Sequence, residues 1–423
     1  MYLLKSIKID QFQGKSTKSI KFFPDINFLI GENGSGKTTI LKIVLGLLTG
    51  NLRSLFTLPF RDAEVKLADA KDRRSADIII RTHHKTDVLE FSFQQGKTAP
   101  KTIKIDYEMT QTFKEHHSHY MDRRLFVPER WDYERNYNFL IRKQIREFEE
   151  FINKSVAFDD LSVERLSFSN LDTMRGRERD FSIDKILEDV IRDVVAYFKD
   201  LSLKASQKDD LLKETYVMSL LVPQQDETQS KLLSADMIGD KLKKILSTLG
   251  MKSQQRKELN EFLTRYSKEE KNRHWSSDSV RMKRIIDVYD KVEQEKKEIF
   301  QPRDIFLDVL KRLLKNKEIQ YQELKETEEP FRIMQGKTTL LPSQLSSGEK
   351  HLLILLGKTL LQKNTPRIFI ADEPEISLHI QWQRKLVGAI RLLNQNAQIV
   401  FATHSPEIVA GNSDKLHNLS EIV

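Results

Sequence analysis

The sequence predicts an α/β fold in which a mixed sheet is built from both ends of the chain and an all-helical module is inserted between them. Three observations predict this fold. Short β-like runs separated by turn residues occur at residues 2–9, at 19–30 and within 76–107. In residues 138–330 glycine is nearly absent, and apolar residues recur at three- and four-residue spacing. In residues 331–423 strand and helix patterns alternate again.

The amino-terminal part contains two kinds of strand pattern. Residues 2–9 and 19–30 are rich in β-forming apolar residues, and Pro24 and Asp25 interrupt the second run. The segment FLIGENGSGKTTILKIVLGLL then follows the order strand, glycine loop, helix. Three further short runs in residues 76–107 are typical of an antiparallel sheet.

The middle part has the pattern of amphipathic helices. The segments FLIRKQIREFEEFI, IDKILEDVIRDVVAYFKDL and RDIFLDVLKRLLKNKEIQYQEL each place apolar residues on one helical face. The pattern breaks at residues 166–180 and 222–236, so we expect packed helices and not one continuous coiled coil. Residues 141–240 have an acidic excess and residues 241–320 a basic excess. This asymmetry favours opposite-charge pairing, within the module or with a protein partner, over a long basic arm that grips DNA.

The carboxyl-terminal part returns to the α/β pattern. The segment LPSQLSSGEKHLLILLGKTLL predicts a loop and a helix, and PRIFIADEPE predicts a buried strand and its turn. WQRKLVGAIRLL predicts another helix, and AQIVFATHSPEIV a last strand that leads into a loop. The expected domains are therefore the amino-terminal half of a head (1–137), a helical insert (138–330) and the carboxyl-terminal half of the same head (331–423).

Composition excludes several classes of protein. The 423 residues include no cysteine, which excludes a disulfide framework, a thiolate zinc site, an iron–sulfur cluster and a cysteine nucleophile. The formal net charge is +8, so an anionic partner is compatible with the chain but not required by it. We find no secretory signal pattern and no apolar stretch near the ~18 residues that a membrane span needs. The expected location is the cytoplasm.

The strongest motif is a glycine-rich loop, GENGSGKT, which fits G-x-x-x-x-G-K-[ST] without gaps. Its glycines let successive backbone N–H groups point at phosphates, and the following helix directs its positive end at the same place. Lys37 would reach the β- and γ-phosphates, and the hydroxyl of Thr38 would coordinate Mg²⁺. The alternative is a chance glycine turn, which the strand–loop–helix context argues against. The predicted nucleotide-binding residues here are Gly31, Asn33, Gly34, Ser35, Gly36, Lys37, Thr38 and Thr39.

The second motif is a pair of acids at the end of an apolar strand. Asp372 and Glu373 follow the run Ile-Phe-Ile-Ala, which suits a buried parallel strand. The carboxyl ends of such strands are where α/β sheets place their ligands. Asp372 would hold Mg²⁺, and Glu373 would act as general base on the attacking water. The alternative interpretation, an acidic turn after a core strand, loses weight once the glycine loop is considered.

Two weaker motifs are interpreted from their order in the chain relative to the acidic strand. Ser346, Gly348 and Glu349 stand at the start of a predicted helix, where serine and glycine are ordinary capping residues. They precede the acidic strand by about one helix length. His404 follows the last apolar strand, and a hydrogen bond from it to the γ-phosphate is physically reasonable.

In this order, and split by a helical insert, the four motifs resemble those of ABC-type ATPases of the SMC, RecF and OLD group. The resemblance is close over residues 1–60 and 340–410, general over 60–135 and slight over 140–330. It implies ATP and Mg²⁺ as cofactors and ATP hydrolysis as the activity. It also identifies the glycine loop as Walker A, Asp372 and Glu373 as Walker B, residues 346–349 as the ABC signature, Leu378 and His379 as part of the D-loop, and His404 as the switch histidine.

The signature departs from the common pattern at two positions. Ser347 stands where the family commonly has glycine, and Glu349 stands where transporters have glutamine, as in the SMC-like branch. The Q-loop glutamine of the family has three candidates here, Gln94, Gln95 and Gln144. The family mechanism implies a homo-oligomer in which two heads sandwich two ATP molecules. Ser346 of one protomer would complete the site of the other.

Several branches of this group do not fit the sequence. A zinc-hook relative would carry C-x-x-C, and this chain has no cysteine. A transporter would have a short insert, whereas the insert predicted here spans residues 138–330. An OLD-type nuclease would need room for a Toprim domain, and the chain ends 19 residues after His404. What remains resembles stand-alone SMC-like ATPases called AAA15 or OLD-like. These resemble the ATPase subunits of the anti-phage systems PARIS and Septu, of which PARIS fits somewhat better.

Three hypotheses follow. In the first, the chain is a sensor and scaffold in anti-phage defence, which holds a separate nuclease subunit until a phage-encoded trigger protein binds. That effector would be of Toprim type, or of HNH type in a Septu-like system. The alternative is a DNA-repair or DNA-clamping ATPase of the RecF/SMC type that contacts nucleic acid directly. A third possibility is a structural nucleotide-binding subunit with negligible turnover. None of them involves a membrane.

Overall fold

The chain divides into two compact units. A computed structural model describes residues 1–14, 16–72, 74–86, 88–106, 128–160, 183–221, 240–241, 261, 263–265, 267–268, 277–322 and 330–421. The first unit comprises Met1–Arg192, Val309–Tyr321 and Phe331–Val423, and the second comprises Asp193–Asp308 and Gln322–Pro330. These units have other bounds than the predicted domains, and the domain boundaries at 137/138 and 330/331 stay a prediction.

The described strands are β1 (Tyr2–Phe12), β2 (Ser16–Lys21), β3 (Ile26–Ile30), β4 (Asp62–Asp69), β5 (Ile78–Lys85), β6 (Val88–Gln95), β7 (Lys101–Asp106), β8 (Phe158–Asp160), β9 (Glu318–Tyr321), β10 (Phe331–Gln335), β11 (Thr338–Leu340), β12 (Arg367–Asp372), β13 (Ala397–Ala402) and β14 (Leu416–Asn418). The described α-helices are α1 (Lys37–Thr49), α2 (Leu52–Phe56), α3 (Pro128–Ser155), α4 (Ile183–Leu221), α5 (Ser277–Leu313), α6 (Ser347–Leu361), α7 (Ile380–Leu393) and α8 (Pro406–Val409). Two short 3₁₀ turns, Pro342–Gln344 and Ser413–Lys415, complete the set.

The centre of the first unit is a five-stranded parallel sheet with the order β14-β3-β13-β12-β8. Strand β3 comes from the amino-terminal part and pairs with β13 from the carboxyl-terminal part, with Phe401 opposite Phe28. Every residue of β13 is buried. Such continuous burial is expected of a parallel strand covered on both faces. The predicted α/β fold with a sheet from both chain ends is therefore confirmed.

A second, six-stranded antiparallel sheet has the order β2-β1-β4-β5-β6-β7. Its strands alternate between buried and more exposed residues, as in β4, where Val65 and Leu67 lie in the core. Strand β4 is not among the predicted strands, although its apolar residues recur with the period of a strand. Phe148 of α3 packs edge-on against Phe91 of β6, with 4.8 Å between ring centroids. This contact brings α3 into the same core as α1.

Two short strands lie inside the stretch that the sequence predicts to be helical. Strand β8 pairs with β12 in the parallel sheet, and β9 pairs with β10 in a three-stranded antiparallel sheet, β11-β10-β9. The helix predicted to run on through EIQYQEL instead ends at Leu313, and Glu318–Tyr321 form β9. A strand of three or four residues is too short for a hydrophobic period to reveal it.

The second unit contains most of α4 and α5. Phe198 and Phe306 are both buried and pack edge-on, with 6.2 Å between ring centroids. Lys296 donates to Asp209 over 3.0 Å, and Lys208 lies 2.8 Å from Glu295. These ion pairs link α4 and α5 in both directions, since the lysine lies on α5 in the first pair and on α4 in the second.

Candidate functional site

The glycine loop connects β3 to α1 at the carboxyl edge of the parallel sheet. Gly36 caps α1 with a left-handed backbone, φ 92°. A Cβ there would lie 2.3 Å from Cζ of Phe12, so both the backbone and the space require glycine. Helix α1 has no side-chain cap and no acidic residue in its first turn. Its amino-terminal N–H groups and the positive end of its dipole are thus directed at the loop.

Lys37 lies inside this loop and is 6% exposed. Its Nζ donates to the backbone oxygens of Gly31, over 3.0 Å, and Glu32, over 3.1 Å. Burial lowers the pKa of Lys37, and the negative charges of Glu373, Asp372 and Glu375 oppose that shift. Three carboxylates therefore lie within electrostatic reach of the loop lysine.

Topology explains why residues far apart in sequence meet at this place. Strands β3, β13 and β12 are neighbours and parallel, so the residues that follow them lie at one edge. The N–H of Glu373 donates to the oxygen of Ala402 over 2.8 Å, and the N–H of Thr403 donates to Leu29 over 3.2 Å. The structure thus brings together the predicted glycine loop, Asp372, Glu373 and the segment that carries His404.

Glu373 has a backbone conformation that is rare for a residue with a side chain, φ 47°. A non-glycine residue in this region costs about 1–3 kcal/mol and persists only where its surroundings impose it. Here the N–H bond to Ala402 fixes the peptide directly after the strand. Such strained residues cluster at functional sites, and this one is the residue predicted to be the general base.

The oxygen donors at this edge suit Mg²⁺. Thr38 is the second residue of α1 and offers a hydroxyl, and Asp372 offers a carboxylate at the end of β12. Among the residues that the structure describes, no three His, Cys, Asp or Glu side chains form a metal-binding group. A phosphate-loop Mg²⁺ does not need such a group, because phosphate oxygens and water complete its shell. Thr38 and Asp372 are therefore the residues that could hold it.

A carboxylate that the sequence analysis did not single out lies at the same edge. Oε1 of Glu375 accepts hydrogen bonds from Oγ1 of Thr403 over 2.7 Å, from the N–H of His404 over 2.8 Å and from the N–H of Ser405 over 3.1 Å. The side chain of His404 is exposed, whereas Thr403 and Ser405 are buried. The only signal in the sequence is a second glutamate two positions after Glu373.

The predicted signature residues form the start of α6. Ser346 caps the helix, and its N–H and Oγ both donate to Oε2 of Glu349 over 2.9 Å. Nζ of Lys317 donates to the other oxygen of Glu349. Burial alone would raise the pKa of Glu349, but the bonds from Lys317 and Ser346 hold it below its usual value. The capping interpretation of this motif is therefore confirmed, and Ser346 remains exposed.

The first turns of α6 pack closely against the segment that follows Glu373. A Cβ on Gly348 would lie 2.2 Å from the backbone oxygen of Ser377. Nδ1 of His351 donates to the oxygen of Ile376 over 3.1 Å. Leu378 is buried, and the side chain of His379 caps α7. The predicted signature and D-loop segments are thus in direct contact within one chain.

The three Q-loop candidates lie on two elements. Gln95 of β6 donates to the hydroxyl of Tyr2 over 2.7 Å, and Gln94 donates to the oxygen of Gly96 over 3.2 Å. Gln144 is exposed on α3. These bonds lie within the antiparallel sheet, so they do not single out one glutamine as a ligand-binding residue.

In the described part of the chain, none of the helices combines the length and the apolar character needed to cross a membrane.

Comparisons with known proteins give three kinds of match. The chain is 30% identical to the "Retron Ec83 probable ATPase" of Escherichia coli over 101 residues, which cover 21% of this chain and 19% of that protein. The aligned region thus spans about a fifth of the curated relative. The Smc head domain with an extended coiled coil, bound to the C-terminal domain of ScpA from Pyrococcus furiosus, is 16% identical, with a TM-score of 0.44 over 99% of this chain and 93% of that chain.

Another Smc head, bound to the C-winged helix domain of ScpA, is 13% identical, with a TM-score of 0.45 over 98% of this chain and 93% of that chain. The family model described as "AAA ATPase domain", AAA_15, matches residues 1–409, which is nearly the whole chain. It covers the glycine loop, the acidic strand end, the α6 cap and the segment with His404. The chain therefore belongs to the AAA_15 family of ATPase domains.

Proposed function

We propose that this chain binds ATP with Mg²⁺ and hydrolyses it slowly, and that this cycle drives a sensor and scaffold function in anti-phage defence. The observation that carries the ATPase proposal is the buried Lys37 in a phosphate-binding loop, with three carboxylates within electrostatic reach. Lys37 would exchange its bonds to Gly31 and Glu32 for bonds to the β- and γ-phosphates.

The roles of the other residues follow from their positions. When bound, Mg²⁺ would neutralise charge on the phosphates, held by Thr38 and Asp372. Glu373 would orient the attacking water and accept its proton. His404, exposed at the same edge, would donate a hydrogen bond to the γ-phosphate. Backbone N–H groups of Asn33, Gly34, Ser35 and Gly36, and the side chain of Thr39, would contribute to nucleotide binding.

The position of Ser346, the predicted signature serine, supports the proposal that two copies of the chain share one site. The bonds of Ser346 go to Glu349 on its own helix, and its side chain is exposed. A second copy that places Ser346, Gly348 and the α6 amino terminus at the γ-phosphate would complete the site. We therefore propose a homo-oligomer through ATP-sandwiched heads.

The defence role rests on the resemblance to ATPase subunits of PARIS, and next of Septu, and is supported by the partial match to a retron ATPase. In this role the ATP-bound oligomer holds a separate nuclease effector and releases it when a phage-encoded protein binds. A DNA-clamping ATPase is the competing function. The ion pairs between α4 and α5 favour the first, because they neutralise basic residues that a DNA-gripping arm would expose.

Steady-state hydrolysis tests the ATPase proposal. Removing Lys37 (Lys37→Ala) or the general base (Glu373→Gln) is expected to lower kcat by at least about 10²-fold, since each removes a group that acts on the transition state. The exposed Lys97 lies on a turn of the antiparallel sheet, and Lys97→Ala is the matched control that keeps wild-type turnover. Wild-type turnover in Glu373→Gln would instead support a purely structural nucleotide-binding subunit.

Co-purification tests the partner. The full chain, expressed with its neighbouring genes, is expected to retain a nuclease subunit in ATP and to lose it in the Lys37→Ala background. ATPase stimulation by duplex DNA with a steep salt dependence would favour the DNA-clamping function. Recovery of neither a partner nor an oligomer in ATP would contradict the sensor proposal.

A further inference from the structure

Glu375 binds three consecutive residues of the segment after β13 through a single oxygen. Oε1 accepts from the hydroxyl of Thr403 and from the N–H groups of His404 and Ser405, over 2.7, 2.8 and 3.1 Å. Oγ1 of Thr403 also accepts from the N–H of Ser405 over 2.9 Å. The segment therefore wraps around one carboxylate oxygen, with His404 in the middle.

This arrangement fixes the backbone on both sides of His404 and leaves its ring exposed. Thr403 is 1% exposed and Ser405 is 9% exposed, so their donors are largely shielded from bulk water. Without Glu375 those donors would lose their acceptor, and a buried unsatisfied donor is unfavourable. The carboxylate thus selects one conformation of the segment.

Gln383 also links the segment around His404 to the residues that follow Glu373. Oγ of Ser405 donates to Oε1 of Gln383 over 2.7 Å, and Nε2 of Gln383 donates to the oxygen of Leu378 over 2.9 Å. Glu375 and Gln383 therefore hold the residues after Glu373 and the residues around His404 in one hydrogen-bond network. A displacement of either segment strains the other.

We propose that Glu375 is a positioning residue for His404, and that it sets the direction from which the imidazole approaches the γ-phosphate. The inference rests on the proposed ATP hydrolysis. Charge alone does not explain the contact, because the bonds are directed at the backbone of the segment and not at Lys37. Oε2 of Glu375 is buried without a hydrogen-bond partner in the described residues, so Oε1 carries the contacts to the segment.

Substitutions at Glu375 separate positioning from binding. Glu375→Ala is expected to lower kcat between about tenfold and 10²-fold, because misplacing a catalytic group by about 1 Å has effects of this size. The affinity for a fluorescent ATP analogue is expected to stay within about twofold, since Lys37 and the glycine loop keep their own bonds and Glu375 has the smallest effect of the three carboxylates on Lys37. Glu375→Gln keeps one acceptor oxygen for the segment and is expected to retain more of the turnover than Glu375→Ala.

A double-mutant cycle tests whether Glu375 acts through His404. His404→Ala alone is expected to lower kcat, and adding Glu375→Ala to it is expected to lower kcat by less than about twofold more. Glu407 is the matched control: it is a carboxylate near the same segment but pairs with Arg384, so Glu407→Gln should keep wild-type kcat.

Three outcomes would overturn the inference: wild-type kcat in Glu375→Ala, a full additional loss in the His404→Ala background, or a loss of ATP-analogue affinity equal to the loss of kcat. Each of them leaves the ATPase proposal standing, provided that the wild-type chain turns over faster than Glu373→Gln. If the wild-type chain shows no turnover above Glu373→Gln, the ATPase proposal fails and this inference fails with it. A cycle with the expected non-additivity and unchanged analogue affinity supports the inference.

Discussion

A methyl group added at Gly348 is a sharp test of the contact between α6 and the segment after Glu373. Gly348 lies in the first turn of α6, and its Cβ would lie 2.2 Å from the backbone oxygen of Ser377 and 3.3 Å from a ring carbon of Trp382. An ordinary van der Waals contact is at least 3.4 Å, so one segment has to move by about 1 Å. The atom in the way is backbone, which cannot turn aside as a side chain can.

Two opposing effects set the magnitude. Alanine in place of glycine inside a helix stabilises it by roughly 0.5–1 kcal/mol. Overpacking of this kind costs about 1–3 kcal/mol. Because the clash is with backbone, we expect its cost to exceed the gain, so that Gly348→Ala lowers the free energy of unfolding by about 0.5–2 kcal/mol.

Gly388 provides the matched control. It lies in α7, and a Cβ there would have no heavy atom within 4 Å. Gly388→Ala is therefore expected to raise stability by roughly 0.5–1 kcal/mol. Both variants are compared with the wild-type chain by urea unfolding without nucleotide, followed by the intrinsic fluorescence of the three tryptophans. Equal shifts in the two variants would refute the argument, since only one position carries the clash.

Two further predictions concern α6. Burial lowers the pKa of His351 below 6.5, so the unfolded chain takes up this proton first as the pH falls, and stability declines below about pH 6.5. His351→Asn keeps a donor for the oxygen of Ile376 but cannot titrate. Between pH 7.5 and 5.5, the free energy of urea unfolding should therefore decline less steeply in this variant than in the wild-type chain. Parallel declines in the two chains would contradict the assignment to His351. Lys317→Met leaves Glu349 partly buried without its cation and is expected to lower the free energy of unfolding by about 1–3 kcal/mol. The loss should be smaller in a Glu349→Gln background, and an equal loss in both backgrounds would show that the pair is not coupled.

The strands and the helix that carry the predicted site residues could be predicted because each is encoded locally. The glycine loop lies between an apolar strand and a helix, and Asp372 follows four apolar residues, so topology alone brings them to one sheet edge. The contacts of Glu375 could not be predicted in this way. Its partners lie 28 to 30 residues away, and the contact depends on the left-handed turn at Glu373.

Sequence reasoning also missed elements whose existence depends on their neighbours. Strand β8 has three residues and is stabilised by pairing with β12, which follows it by about 200 residues. Strand β9 lies in a run that has helical periodicity, and its pairing with β10 determines its conformation. In both cases tertiary pairing decides the outcome where the local pattern is neutral or misleading.

The two groups of site residues are held in place in different ways, and this difference bears on how the site is completed. Lys37, Glu373 and the segment of His404 are fixed by loops at the edge of the parallel sheet. Ser346 is fixed by Glu349, which also accepts from Lys317. Helix α6 itself is linked to the segment after Glu373 by the bond from Nδ1 of His351 to the oxygen of Ile376. Ser346, the predicted signature serine, is therefore ordered within a single chain and needs no second copy to fold its helix. In the proposed ATP-sandwiched oligomer, a second copy would meet a preorganised surface, so closure would lose little ordering entropy and would depend mainly on the nucleotide.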